Sequence, residues 1–232
     1  MALADAVTAA GQYPAADAAQ AKKKRYSEQL SAALAMEVAE GLRGVGLPNV
    51  RPLRGGPGER AFQGGLGPKK VDVTYADERH GLLLAVSIKS ISVPPFGKNL
   101  KNRFADLCTE AITLHMRFPY SVVCGLFAFP IMADQDVTPG RKISTFRRAM
   151  KLVATISGRD DYTGPGEKFE SIAVMLFQPV TATAKTPQVN LFDALTEKEV
   201  AETDYFRGLK DLFNRRNPHV AIEEKIEPLG DA

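Results

Sequence analysis

The chain predicts an α/β domain with a mixed central β-sheet flanked by helices, and three features of the sequence carry that prediction. Tyr26, Leu30, Ala33, Leu34, Val38 and Gly41 recur at helical spacing. Residues from Val71 to Val93 alternate or run continuously as strand residues do. Val122 to Ile131 carries no charge, as a strand buried on both faces requires. At 232 residues, 44% hydrophobic and 25% charged, the chain can bury a full core, which excludes disorder as its global state.

Taken in order, Met1 to Gln20 is rich in Ala with Gly, Pro and Asp and is expected to be a frayed arm. A flexible arm is therefore placed at 1–24, one domain at 25–216 and a tail at 217–232. The first helix is expected from Arg25 to about Arg43, stopped by Gly44 and Gly46 ahead of Pro48. Pro52 to Pro68 is crowded with Gly, Pro and Arg and reads as loop, with one short strand near Arg60 to Gln63. Val71 to Tyr75 and Leu82 to Val93 read as two strands joined by the turn chemistry of Asp77 to Gly81, and Pro94-Pro95 ends the second. From Asn99 to Arg117, Phe104, Leu107, Cys108, Ala111 and Leu114 fall on one side of a helix. After the uncharged strand come a helix (Ser144 to Ser157), a strand (Ser171 to Phe177) and a helix (Glu197 to Phe213). The order α, β, β, α, β, α, β, α gives the layered α/β architecture.

Composition narrows the function classes. The formal charge is only +3, yet Lys22, Lys23, Lys24 and Arg25 form one basic cluster and Arg141, Lys142, Arg147, Arg148 and Lys151 another. Such runs fit either a polyanion partner or solvated faces. Cys108 and Cys124 form no CxxC and have no His at ligand spacing, so zinc and disulfide frameworks are unsupported. No apolar run approaches membrane-spanning length and the start lacks a leader pattern, so a cytoplasmic location without a membrane partner is expected. Gly64-Gly65-Leu66-Gly67-Pro68 precedes a strand, not a helix, so it reads as a flexible loop and not as a phosphate cradle. His115 falls on an apolar arc as a core residue, and His80 lies in a turn as a solvated one.

Chemistry concentrates around Asp72, placed between two valines, where desolvating a carboxylate is costly without a partner. Fifteen residues on, Ser87 and Lys89 lie two apart and project to one face of the next strand. A hairpin would bring Asp72 beside them. A carboxylate and a lysine converging on one face can hold a divalent cation and a water, or form an ordinary salt bridge across two strands. Glu37 falls inside the apolar arc of the first helix and wants a metal, a lysine, or an arginine from the Pro52–Arg60 loop. Arg103, Asp106 and Glu110 form an i, i+3, i+7 stripe that faces either the site or solvent.

Lys70-Val71-Asp72-Val73 followed by Ser87-Ile88-Lys89 resembles the paired motif of the PD-(D/E)XK nucleases, and the likeness runs from about Arg25 to Pro130. The resemblance implies a restriction-endonuclease-like α-β-β-β-α-β core and a Mg²⁺-dependent DNA endonuclease, with Mn²⁺ able to substitute, of restriction or phage-defence type. It implies Asp72, Glu110 and Ile88 as metal contacts, Lys89 as the residue that positions and polarises the attacking water, and Glu37 as support. Ser87 departs from the pattern, which usually has a carboxylate there. Some members with SxK recruit a glutamate from the following helix, which makes Glu110 the candidate and Asp106 the reserve. Lys70, Arg103, Arg141, Lys142, Arg147 and Arg148 are the expected DNA contacts, in a homodimer or a larger defence complex. The competing readings are a nuclease fold with a decayed site that binds DNA or assembles, and a structural α/β interaction protein.

Overall fold

The computed structural model describes residues 2–137, 140 and 142–222. Its centre is a six-stranded mixed sheet of β3 (Val73–Asp77), β4 (Gly81–Ser90), β5 (Val122–Pro130), β6 (Ser171–Phe177), β7 (Val189–Asp193) and β8 (Glu199–Val200), ordered as numbered. β4, β5 and β6 run parallel, and β3, β7 and β8 each pair antiparallel with the strand before or after them. β5 is buried at every position, as its uncharged sequence requires.

Period-two alternation divides the sheet between two cores. Leu84, Val86, Ile88, Cys124, Leu126, Ala173 and Met175 face one layer, formed by α1 (Ala2–Ala9), α2 (Gln20–Gly44) and α6 (Glu202–Arg216). Ala85, Val123, Phe127, Ile172 and Val174 face the other, formed by α3 (Leu100–Arg117) and α5 (Thr145–Ala154). Gly41 of α2 lets α6 approach closely: a Cβ there would lie 2.2 Å from Cζ of Phe206. Ser144 caps α5 by accepting the N–H of Arg147.

Several expectations are corrected. The segment 1–24 is not a flexible arm. Leu3, Ala6, Val7 and Ala10 stand at i, i+3, i+4 and i+7 and are buried against α2, because alanine favours helix and is small enough for close packing. The second helix accordingly begins at Gln20, not Arg25. The glycine-rich stretch 64–68 is not a loose loop but the turn of a hairpin of β1 (Arg60–Gly64) and β2 (Gly67–Val71), a separate two-stranded sheet. Gly64 and Gly65 press it onto α3, where a Cβ would lie 2.4 Å from Thr113 Cγ2 or 2.3 Å from Met116 Cβ. β7 occupies chain that the sequence left unassigned, and α6 starts at Glu202, not Glu197, because Glu199 and Val200 pair with β7 as β8. Of the tail expected at 217–232, Pro218–Val220 forms a 3-10 turn, and residues 223–232 lie outside the described residues. Among the described residues no helix is long and apolar enough to cross a membrane.

Candidate active site

Asp72 does not lie inside a strand, as expected, but at the break where the chain leaves β2 and enters β3. The reason is legible in the register. The β3–β4 ladder ends at Val73 opposite Val86, so the edge of β4 beyond Val86 has no strand beside it. Asp72 takes the place of that strand: its Oδ2 accepts the N–H of Ile88 at 2.6 Å. N–H and C=O of one strand residue project to the same edge, so the Ile88 carbonyl is directed toward Asp72 as well. The second carboxylate oxygen of Asp72 has no protein partner among the described residues.

On the α3 face of β4, Ser87 is fully buried and Lys89 lies beyond it. Lys89 Nζ stands 2.7 Å from Glu110 Oε2, 3.9 Å from Asp72 Oδ2 and 3.4 Å from Ser87 Oγ. Glu110 reaches in from α3 and is 1% exposed, so of the two acids proposed on that helix it is the one that arrives. Asp106 pairs with Arg103 at 3.1 Å on the solvent side. Glu110 Oε2 has no well-aligned hydrogen bond despite its closeness to Lys89. Its Oε1 lies 3.4 Å from the ammonium of Lys69, a residue the sequence reading passed over. The missed signal was the period of two: Lys69 shares the inward face of β2 with buried Val71, while Lys70 points outward and pairs with Glu59 at 2.5 Å.

Burial raises the pKa of Asp72, with Glu110 and Glu59 adding to the rise, while Lys89 and the Ile88 N–H oppose it. Two carboxylates and two ammonium groups balance in charge across one small, partly buried volume. All candidate donors to a cation here are oxygens, the set that suits a hard divalent ion. Among the described residues no group of three or more His, Cys, Asp or Glu is placed to hold a metal. Two carboxylates are nevertheless the usual protein complement for Mg²⁺, which keeps waters and takes further oxygens from phosphate.

Glu37 is not part of this arrangement. It accepts from Arg54 Nη2 at 2.7 Å, in the loop after α2, and α2 packs on the opposite face of the sheet from Lys89. Its expected support of Lys89 is thereby replaced by the arginine pairing. His80 is not freely solvated either: its Nδ1 lies 2.8 Å from Asp77 and its ring packs edge-on against His219.

Basic side chains gather at the same end of the sheet. Ser27 and Ser31 of α2 contact Ser92 and Ser90 at 2.6 and 3.4 Å, which places the α2 N-terminus, with Lys22, Lys23, Lys24 and Arg25, at the carboxyl end of β4. Lys98 and Lys101 follow from that end, exposed and without a carboxylate partner among the described residues. Lys142 is exposed, and Arg147 stacks over Phe146 while approaching Asp134 at 3.7 Å. Arg148 is half-buried with an unpartnered Nη1, so it does not project outward as expected. Arg141 lies outside the described residues.

A second buried carboxylate, Glu170, holds the opposite end of the sheet together. It accepts from Arg159 and Arg216 at 2.9 Å and from the Val123 N–H at 2.8 Å, with His115 Nε2 at 3.4 Å. Burial pushes its pKa up, but His115, the Val123 N–H and Arg159 outweigh this and hold it below the ordinary value. Three hydrogen bonds, from two arginines and a backbone amide, hold it, so it reads as a structural tie.

Comparison of the chain with protein-family models, with curated proteins and with solved structures yields no match.

Proposed function

We propose that the chain is a divalent-cation-dependent DNA endonuclease with a restriction-endonuclease-like core, acting on foreign DNA. The observation that carries this reading is the meeting of Asp72, Lys89 and Glu110 from three separate segments at the carboxyl end of β4. The succession α2, β3, β4, α3 and β5, with β4 parallel to β5, supports it in part: it follows the order the resemblance implies, except that the separate β1–β2 hairpin stands where a third strand of the central sheet is expected.

Asp72, Glu110 and the Ile88 carbonyl would hold Mg²⁺ or Mn²⁺, and the bound ion would supply a low-pKa water and charge stabilisation at the phosphate. Lys89, held between both acids, orients that water and stabilises negative charge as it develops on the phosphoryl oxygens. Ser87 keeps Lys89 on the face of β4 toward Glu110. Lys22, Lys23, Lys24, Arg25, Lys98, Lys101, Lys142 and Arg147 contact phosphates and set the position of the duplex without reading its sequence. One such site cuts one strand, so cutting both calls for a homodimer or a larger complex. A DNA-binding subunit that no longer cuts is the second reading, and Ser87, standing where the motif usually has a carboxylate, favours it.

The experiment is cleavage of duplex DNA by the purified chain with Mg²⁺ or Mn²⁺. Lys89→Ala is expected to abolish cutting and leave DNA affinity nearly unchanged, because the lysine acts on the transition state. Salt-sensitive binding with no cation-dependent cutting by the wild type would establish the second reading in its place.

A further inference from the structure

Resting on that reading, we propose that Lys69 is a second catalytic lysine. It exchanges its contact with Glu110 for the scissile phosphate once the carboxylate is taken up by a divalent cation. Lys69 and Lys89 both approach Glu110, at 3.4 and 2.7 Å, yet they differ in how they are held. Lys89 is 14% exposed, belongs to the central sheet and has Asp72 and Ser87 as further neighbours. Lys69 is 33% exposed, belongs to the separate β1–β2 hairpin and has Glu110 as its one carboxylate within ion-pair distance among the described residues. When a cation occupies Glu110 and Asp72, Lys69 loses its one partner, whereas Lys89 keeps the Ser87 hydroxyl.

Charge balance gives the freed ammonium its destination. The two acids and two lysines cancel as they stand. A divalent cation would add two positive charges, and the pentacovalent phosphorane formed when hydroxide, its proton released to bulk solvent, attacks a monoanionic phosphodiester would carry about two negative ones. The site is therefore neutral at the transition state only if both lysines remain within it. A lysine rotating off Glu110 at the open edge of β4 meets the side from which a phosphodiester must approach Asp72. Gly64 and Gly65 hold the hairpin hard against α3, so its register with Glu110 is fixed and only the Lys69 side chain has to move. Lys70, one residue on, cannot take this role: it faces outward and is paired with Glu59.

The test uses Lys69→Met, which keeps the aliphatic stem, and Lys69→Arg, which keeps the charge, in the full chain. Mn²⁺ alone is titrated calorimetrically without DNA, with Glu110→Gln as the control that reports binding through this carboxylate. Lys69→Met is expected to bind Mn²⁺ roughly thirtyfold more tightly, the effect of removing one unit charge about 4 Å from a divalent ion at the dielectric constant of water. Its single-turnover cleavage rate in Mg²⁺ is expected to fall by about 10²- to 10³-fold, the scale for losing one donor to the transition state, with DNA affinity in Ca²⁺ hardly changed. Lys69→Arg should recover much of the rate. A purely structural ion pair would lower thermal stability without tightening Mn²⁺, and that result, or a Lys69→Met variant that cuts at the wild-type rate, overturns the proposal. If the wild type itself neither binds Mn²⁺ through Glu110 nor cuts DNA, the nuclease reading fails and this inference fails with it.

Discussion

The geometry around Glu110 makes a quantitative prediction that needs no activity. Glu110→Gln removes a 1% exposed charge that holds Lys89 at 2.7 Å and Lys69 at 3.4 Å. At 2.7 Å and an effective dielectric constant of about 20, the Lys89–Glu110 attraction alone is about 6 kcal/mol before desolvation is subtracted. Desolvation takes back much of this, and a carboxylate removed from a buried cluster typically costs about 3–4 kcal/mol because its cationic partners remain. Lys89→Met should cost less, about 1–2 kcal/mol, since Glu110 keeps Lys69. The double variant should cost about 3 kcal/mol, which leaves a coupling of about 2 kcal/mol between the two sites. Urea unfolding followed by circular dichroism at pH 7 measures all four corners of the cycle. Single costs that add to within about 0.5 kcal/mol would show that the two side chains do not meet as described.

Further outcomes follow from individual residues. The folded Asp72 carboxyl has a raised pKa, so its contribution to stability is present below the unfolded value near 3.8 and is lost as pH rises through the folded value. Asp72→Asn should therefore stabilise the chain by about 1 kcal/mol at pH 7, and unfolding curves should show that gain vanishing in acid. Glu170 has the opposite sign: its lowered pKa gives stability above the unfolded value near 4.5 that is lost as pH falls through the folded one. Glu170→Gln should cost about 3–5 kcal/mol at pH 7, and a loss under 1 kcal/mol would contradict its role as a tie. Gly41→Ala should destabilise by about 1–2 kcal/mol despite its better helix propensity, because the new methyl meets Phe206; a raised melting temperature would show that α2 and α6 do not cross there. Replacing Lys98 and Lys101 with Ala should flatten the plot of log DNA affinity against log salt by about 0.9 per lost phosphate contact, and an unchanged slope would place the DNA surface elsewhere.

Much of the sheet was legible because its strands obey simple patterns. Ser171 to Phe177 matches β6 to the residue, and the charge-free run from Val122 to Ile131 extends one residue beyond β5 at its far end. Helix interiors were equally plain, but the first ten residues were misjudged because alanine content was read as disorder and the spacing of Leu3, Ala6, Val7 and Ala10 was not weighed. β7 and β8 were missed because a five-residue and a two-residue strand carry little periodicity. At the site, the pairing of Asp72 with Lys89 could be reached from strand alternation, whereas the choice of Glu110 over Asp106 rests on the resemblance, since helical phase leaves their stripe facing either the site or solvent. The break at Asp72 could not, since it depends on where β3 stops pairing with β4. Glu37 shows the converse: helical phase places it inside the apolar arc of α2, but which face of the sheet α2 covers is a tertiary matter.

The most direct test of the account is single-turnover cleavage of an end-labelled duplex by the wild type and by Glu110→Gln, with Mg²⁺ present and after chelation. The account expects cutting only with the cation and a fall of at least about 10³-fold in the variant, since a cation ligand and the anchor of both lysines are lost together. Cutting that survives chelation, or that Glu110→Gln performs at the wild-type rate, would contradict it.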